Sequence, residues 1–330
     1  MVRLPEFELI RPGNLDEVLA ARRAHPGSRV IGGGTDLLVN MRRGLGGGPP
    51  ALISMADVAE LKTIDVDAKS ARIGASVTVE EVAVDGAIKA HYPVIAEAAA
   101  LSGGPTHRHM GTVGGNLCLE TRCVYYNQSE WWRAANGHCF KDQGSGCHVA
   151  LKSKSCFATF SGDLAPAVMI HDGEVEIIGS GGRRTLPVAD LYSGDGCRHL
   201  TLAEDEIVIA VRLNNRKGLR SAYEKVRVRR SIDFPLAGVA VGLCREGRKL
   251  TELRVAVTGT NPRPVLLAGT GDLVGGPLDG AVLEALEKLM RDQIMSMKTT
   301  LTPGHYRRRL AIVMAKRLVE RLFHAGGSGG

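Results

Sequence analysis

Cys123, Cys139, Cys147 and Cys156 stand within 34 consecutive residues, spaced C-x15-C-x7-C-x8-C, in a chain of seven cysteines. A fold must either gather them or bury them apart, and that choice constrains this chain more than any other feature. The intervening stretches VYYNQSEWWRAANGH, FKDQGSG and HVALKSKS show no hydrophobic periodicity, although they hold both tryptophans. Something other than a regular apolar face must hold the segment together. Four thiolates are the ligand set of an iron–sulfur cubane or of structural zinc. The close C-x2-4-C pairs of zinc ribbons are absent, and long spacings suit a loop wrapped around a larger cluster. Zinc, and thiols that merely pack, stay open as alternatives. His138 and His148 each adjoin one of these cysteines and are read as hydrogen-bonding neighbours rather than ligands, because four thiolates already complete a cubane.

At 330 residues the chain is long enough for two or three domains with a substantial core. No run of 18 apolar residues occurs, so no membrane span is expected. The opening MVRLPEFELIRPGNLDEV lacks the apolar stretch of a signal peptide, which leads us to expect a cytoplasmic protein with unpaired thiols. The net charge of +7 is dispersed, with concentrations at Arg227–Arg230 and Arg307–Arg309 that read as solvated surface. No basic face interleaved with aromatics appears, so nucleic acid is not an expected partner. Cys197 and Cys244 are assigned to packing, while Cys118, directly after the second glycine site, is a candidate to contact a ligand there through its backbone or to stand as a fifth thiol beside the other four. No Ser/His/Asp triad and no hydrolytic carboxylate pair can be recognised.

The organisation is α+β. Asn14 caps a helix LDEVLAARRAH, a strand ends at Ile31, and Gly32-Gly33-Gly34-Thr35-Asp36 leads into a helix beginning at Leu37. ALISM (51–55) is a strand. We expect a helix in DVAELKTI, a strand in ARIGAS, helices over TVEEVAVDGAIKAHYPVIAEAAALS, and strands in VEIIG and IVIAVRL. Beyond about 217, SAYEKVRVR, AGVAVGLCREG and ELRVAVTGT read as three antiparallel strands, followed by helices near 279–293 and 303–324. The expected domains are 1–56, 57–216 with the cysteine segment inserted at about 119–160, and 217–330. The tail 326–330 reads as linker.

Three glycines between a strand and a helix permit close backbone approach and leave N–H groups free for an anion such as a pyrophosphate. The sequence is neither G-x-G-x-x-G nor a P-loop, since no lysine follows the glycines. Gly111-Thr112-Val113-Gly114-Gly115-Asn116 has the same small, donor-rich texture, and the two sites could grip opposite sides of one extended ligand. Ser161-Gly162-Asp163-Leu164-Ala165-Pro166 places a carboxylate in a turn before an apolar strand, and its plain reading is a cap.

The order GGGTDLL, GTVGGN, SGDLAP and YEKVRVRRSIDFPLAGVAV resembles the FAD-binding (medium) subunit of the xanthine oxidase family of molybdenum hydroxylases, over nearly the whole chain. The interval between GTVGGN and SGDLAP is longer than in most members, and a cysteine-bearing insertion there is similar to the β subunit of 4-hydroxybenzoyl-CoA reductase. That resemblance implies a [4Fe–4S] cluster on Cys123, Cys139, Cys147 and Cys156. It also implies a two-part FAD-binding domain of the vanillyl-alcohol-oxidase type, followed by a C-terminal domain of a three-stranded antiparallel sheet and helices.

By the same resemblance, Ile31, Gly32, Gly33, Gly34, Thr35, Asp36 and Leu37 bind the pyrophosphate and ribose side of FAD. Thr112, Gly114, Gly115 and Asn116 form the opposite wall, with Ser102 in the preceding loop. Asp163 is a ribose-side carboxylate, Ile207 and Val208 touch the isoalloxazine, and Lys225 lies near the flavin. The implied partners are a molybdopterin-bearing large subunit and a small subunit with two [2Fe–2S] clusters, as a dimer of heterotrimers, with ferredoxin as electron donor. Lys141, Lys152 and Lys154 flank the cysteines and are expected to attract that acidic donor. No residue of this chain is expected to be catalytic.

Overall fold

The computed structural model describes residues 3–295 and 297–325, so the linker-like tail lies outside the described residues. Three sheets follow one another along the sequence. The first is parallel, ordered β1-β3-β2, from Glu8–Ile10 (β1), Arg29–Ile31 (β2) and Ala51–Ser54 (β3). The helix Leu15–Ala24 connects its first two strands. Asn14 caps that helix by accepting from the Glu17 N–H, as its side chain and position require.

The second sheet is antiparallel. It comprises Ile64–Val66 (β4), Ser70–Gly74 (β5), Glu174–Gly179 (β6), Gly182–Pro187 (β7) and Ile207–Asn214 (β8), in the order β4-β5-β8-β6-β7. The expected helix in DVAELKTI is only a 3-10 turn at Ala59–Leu61, because its second half is drawn into pairing with β5. β7 is a polar, exposed edge strand with no apolar alternation to betray it. The long helical stretch before the second glycine site breaks into Val79–Val84, Gly86–His91 and Pro93–Leu101. Asp85 caps the second of these, and Pro93 opens the third.

The third sheet contains Arg220–Val226 (β9), Ala237–Glu246 (β10), Lys249–Thr258 (β11) and a two-residue edge strand, Val265–Leu266 (β12). Its order is β12-β11-β10-β9, one short strand more than the periodicity revealed. The helices Gly280–Gln293 and Gly304–His324 bury Leu286, Met290, Met314 and Leu318 against it. Arg307, expected on the surface, is 2% exposed; its guanidinium donates to the Leu236 carbonyl at 3.1 Å and to Thr299 Oγ1 at 2.6 Å. Among the described residues no helix is long and apolar enough to cross a membrane.

Candidate functional site

The two glycine turns touch. A Cβ on Gly33 would lie 1.6 Å from the Met110 carbonyl oxygen, and one on Gly32 would lie 2.6 Å from Thr112 Oγ1. These glycines let one turn seat against the other, side by side rather than across a gap. Gly34 has φ +70, a left-handed conformation that costs glycine little. Among the described residues, the N–H groups of Gly33, Gly34, Thr35 and Asp36 donate to no protein acceptor. That run of open donors is a cradle for an anion and fits the pyrophosphate of FAD.

The second turn differs. Its N–H groups are already used: Val113 donates to the Val77 carbonyl and Gly114 to that of Ala75, both at 2.9 Å, and Gly115 donates to Thr112 Oγ1 at 3.2 Å. The expected donor-rich character is absent because the turn is a capped helical segment, Val113–Leu117, bound to its neighbours. It supplies a wall, not donors.

Asn116 Oδ1 accepts the Leu164 N–H at 3.0 Å, which joins this wall to the SGDLAP turn. The residues after Asp163 form a fully buried short helix, Leu164–Met169, rather than a strand. Asp163 makes no capping bond. Its carboxylate accepts from Tyr223 Oη at 2.7 Å and from Lys225 Nζ at 2.8 Å, with the Lys225 side chain 1% exposed. Lys225 also donates to the Leu101 carbonyl. Its ammonium is therefore paired with Asp163 in the core. Ser102 is occupied as well, donating to the Ala98 carbonyl at 2.9 Å. Ile207 packs with Leu15, Ile53 and Met55, while Val208 faces the larger core with Val113 and Leu164, so the two residues point to opposite faces of β8.

The four cysteines come together. Cys123, Cys139, Cys147 and Cys156 line one recess, with Tyr125 and His148 beside them. Cys123, Cys147 and Cys156 are 7%, 6% and 6% exposed, and Cys139 is half-buried. The Ala158 N–H donates to Cys156 Sγ at 3.4 Å. Burial pushes the Cys123 thiol up to about 11 and raises Cys139 and Cys156.

Zinc–sulfur bonds of about 2.3 Å in a tetrahedron put sulfurs about 3.8 Å apart. Among the described residues, the one trio of potential ligand atoms within 4.8 Å of one another is Cys156, Asp195 and Cys197, so no three of the recess thiols stand at zinc spacing. Cys197, read as packing, thus lies beside Cys156; burial pushes it up to about 12. The only sequence sign was a Gly-Asp-Gly-Cys turn.

Buried charge, together with a small apolar cluster of Leu45, Tyr126 and Ala158, holds the insertion. Arg133, 3% exposed, donates to Asp142 at 2.6 Å and to the Gln128 carbonyl at 2.7 Å. Lys141 Nζ contacts Glu120, Thr121 Oγ1 and the Gly196 carbonyl, each at 2.6–2.7 Å. Its side chain is 6% exposed, so Lys141 cannot serve as a docking charge, whereas Lys152 and Lys154 are exposed. His138 bonds Asp142 at 2.9 Å rather than a sulfur, and His148 packs on Tyr125. Arg122, directly before Cys123, pairs with Asp36 and donates to Asn40 at 3.1 Å, linking the insertion to the first glycine turn. Cys118 and Cys244 lie outside the recess lining, Cys244 bonding Glu252.

A two-part flavin-binding unit followed by a sheet-and-helix domain is the architecture of the flavoprotein component of molybdenum enzymes. Residues 5–214 match the family described as FAD binding domain in molybdopterin dehydrogenase, and residues 221–322 match the CO dehydrogenase flavoprotein C-terminal domain. The chain belongs to this family: it is an FAD subunit of the molybdenum hydroxylase type. It is 32% identical over 264 residues to the aldehyde oxidoreductase FAD-binding subunit PaoB of Escherichia coli K12, covering 76% of this chain and 79% of that protein. It is 27% identical to the carbon monoxide dehydrogenase medium chain of Afipia carboxidovorans, covering 96% of each. A solved Cu,Mo-CO dehydrogenase chain shares the fold at TM-score 0.80 and 24% identity, over 97% of this chain and 99% of that one.

Proposed function

We propose that this chain is an electron-transfer subunit carrying FAD and a [4Fe–4S] cluster, with its substrate site on a partner subunit. The observation that supports the reading is the gathering of four thiols around one recess, no three of them as close as a zinc tetrahedron would hold them. Cys123, Cys139, Cys147 and Cys156 would hold the cluster. The open N–H groups of residues 33–36 would hold the FAD pyrophosphate, with Ile31, Gly32 and Leu37 shaping that turn and Thr112, Gly114, Gly115 and Asn116 walling it. Asp163, Ser102, Ile207, Val208 and Lys225 are proposed to support the flavin from behind through the buried Asp163–Lys225 pair and the β8 packing. When bound, FAD supplies exchange between two-electron and one-electron transfer, and a cubane supplies a one-electron relay.

We further propose domains at 1–56, 57–216 and 217–330, a cytoplasmic location, and assembly with a molybdopterin-bearing large subunit and a two-[2Fe–2S] small subunit as a dimer of heterotrimers. The cysteine insertion favours 4-hydroxybenzoyl-CoA reductase, in which ferredoxin electrons remove the phenolic hydroxyl. A second reading, aldehyde oxidation, is favoured by the 32% identical relative, whose name is that of an aldehyde oxidoreductase subunit. Co-expression with the partner subunits tests both. Benzoyl-CoA formed from 4-hydroxybenzoyl-CoA with reduced ferredoxin supports the first, and aldehyde oxidation with an artificial acceptor supports the second. A complex whose flavin and extra iron are missing from this subunit overturns the electron-transfer reading.

A further inference from the structure

The segment Ser193–His199 lies well beyond the insertion in sequence, yet it wraps the Cys156 limb. Asp195 Oδ1 accepts the Cys197 N–H at 2.8 Å and the Cys156 N–H at 3.3 Å, so one carboxylate oxygen fixes both cysteines. The Gly196 N–H donates to the Cys156 carbonyl at 2.9 Å. The Gly196 carbonyl in turn accepts from Thr121 Oγ1 and Lys141 Nζ, each at 2.6 Å. A Cβ on Gly196 would lie 2.7 Å from the Ala158 nitrogen, so glycine is what lets this loop close on the limb. The result is a loop held on several sides, with the Cys197 and Cys156 sulfurs and an Asp195 oxygen within 4.8 Å of one another.

We propose that Cys197 is a positioning residue whose S–H donates to the Cys156 sulfur and raises the reduction potential of a cluster held by the four recess cysteines. This rests on the cluster reading above. An unligated thiol is protonated at neutral pH and is a donor. Reduction adds negative charge to the cluster and its sulfurs, so a donor to sulfur favours the reduced form. Cys156 is distinctive in this respect: it combines a backbone donor, the Ala158 N–H at 3.4 Å, with a neighbouring side-chain thiol. The trio does not make a separate metal site, because the Asp195 oxygen already accepts two N–H groups and Cys156 belongs to the recess.

The test is a redox titration of the cluster by electron paramagnetic resonance in wild type, Cys197→Ala and Cys197→Ser, with iron counted in each. Four irons are expected throughout. Cys197→Ala should lower the reduced-to-oxidised ratio at fixed potential about tenfold, a shift of about 59 mV for one electron. Cys197→Ser keeps an O–H donor and should recover most of that shift. Wild type should also show an exchangeable-proton coupling that disappears in deuterated water. Equal midpoints for wild type and Cys197→Ala at four irons would overturn the role of Cys197 alone, whereas an iron-free wild type would overturn the cluster reading itself. If Cys197→Ala fails to hold iron, the wild-type coupling decides: its absence overturns the proposal.

Discussion

The glycine turns at 32–36 and 111–116 press together so closely that Gly33 has no room for a Cβ, whereas the thiols of 123–156 converge on one recess. The first region is shaped by contact between two stretches of chain, and its form needs no ligand to explain it. The second gathers four thiols that we propose hold a cluster. Burial raises the thiols of Cys123, Cys139 and Cys156, and a bound metal's charge would offset that cost. The two regions meet through Arg122, which pairs with Asp36 on one side and precedes Cys123 on the other. If one region cradles the flavin and the other binds metal, as proposed, each should fail while the other stays intact.

The largest effect should come from Gly33→Val. The obstructing atom is a backbone oxygen, so relief requires moving a turn, at a cost of about 3 kcal/mol, the upper end for overpacking. FAD content measured after acid extraction should fall at least about tenfold, since about 1.4 kcal/mol already suffices for that factor. Iron should be retained. Serine at Cys123, Cys139, Cys147 or Cys156 should give the mirror image, loss of the four-iron centre with FAD kept, because a cubane uses all four thiolates. Joint loss of both cofactors in either series would dissolve the distinction.

Beneath the flavin wall, Lys225→Met should destabilise the fold by about 3–5 kcal/mol, the usual cost of leaving a buried carboxylate unpaired. Removing Asp163 as well should cost less than the two single changes combined, a non-additivity that a denaturant double-mutant cycle would measure.

These partners show where sequence reading runs out. Asn14, the long C-terminal helices and the strands β8 to β11 announce themselves through caps and periodicity, and the glycine turns through composition. Asp163–Lys225, Arg122–Asp36 and Cys156–Cys197 join residues far apart in the chain, and nothing local in the sequence pairs them. The same holds for Lys141 and Arg307, whose charges look solvated in the sequence but are met by buried oxygens. β7 escapes detection because an edge strand with polar faces has no alternation to display.

Acid sharpens the contrast in a smaller way. His171 is 2% exposed, and burial lowers its pKa to about 4. Its stabilisation is complete above the unfolded value of about 6.5 and is lost as pH falls toward 4, because the unfolded chain takes up the proton first, an effect of about 3 kcal/mol. Thermal unfolding of wild type and His171→Phe between pH 7 and 4 should show a shallower decline in the variant. Protonation of the ligating thiolates would release iron over the same range in both proteins. Iron loss that vanished with His171 would tie the limb to the core and contradict its separateness.

The most direct measurement is the iron, zinc and FAD content of the purified chain or of its complex after resolution into subunits. The account predicts four irons and one FAD in this subunit, in the ratio a cubane and a single flavin site require, with zinc negligible. About one zinc per chain with negligible iron would contradict it.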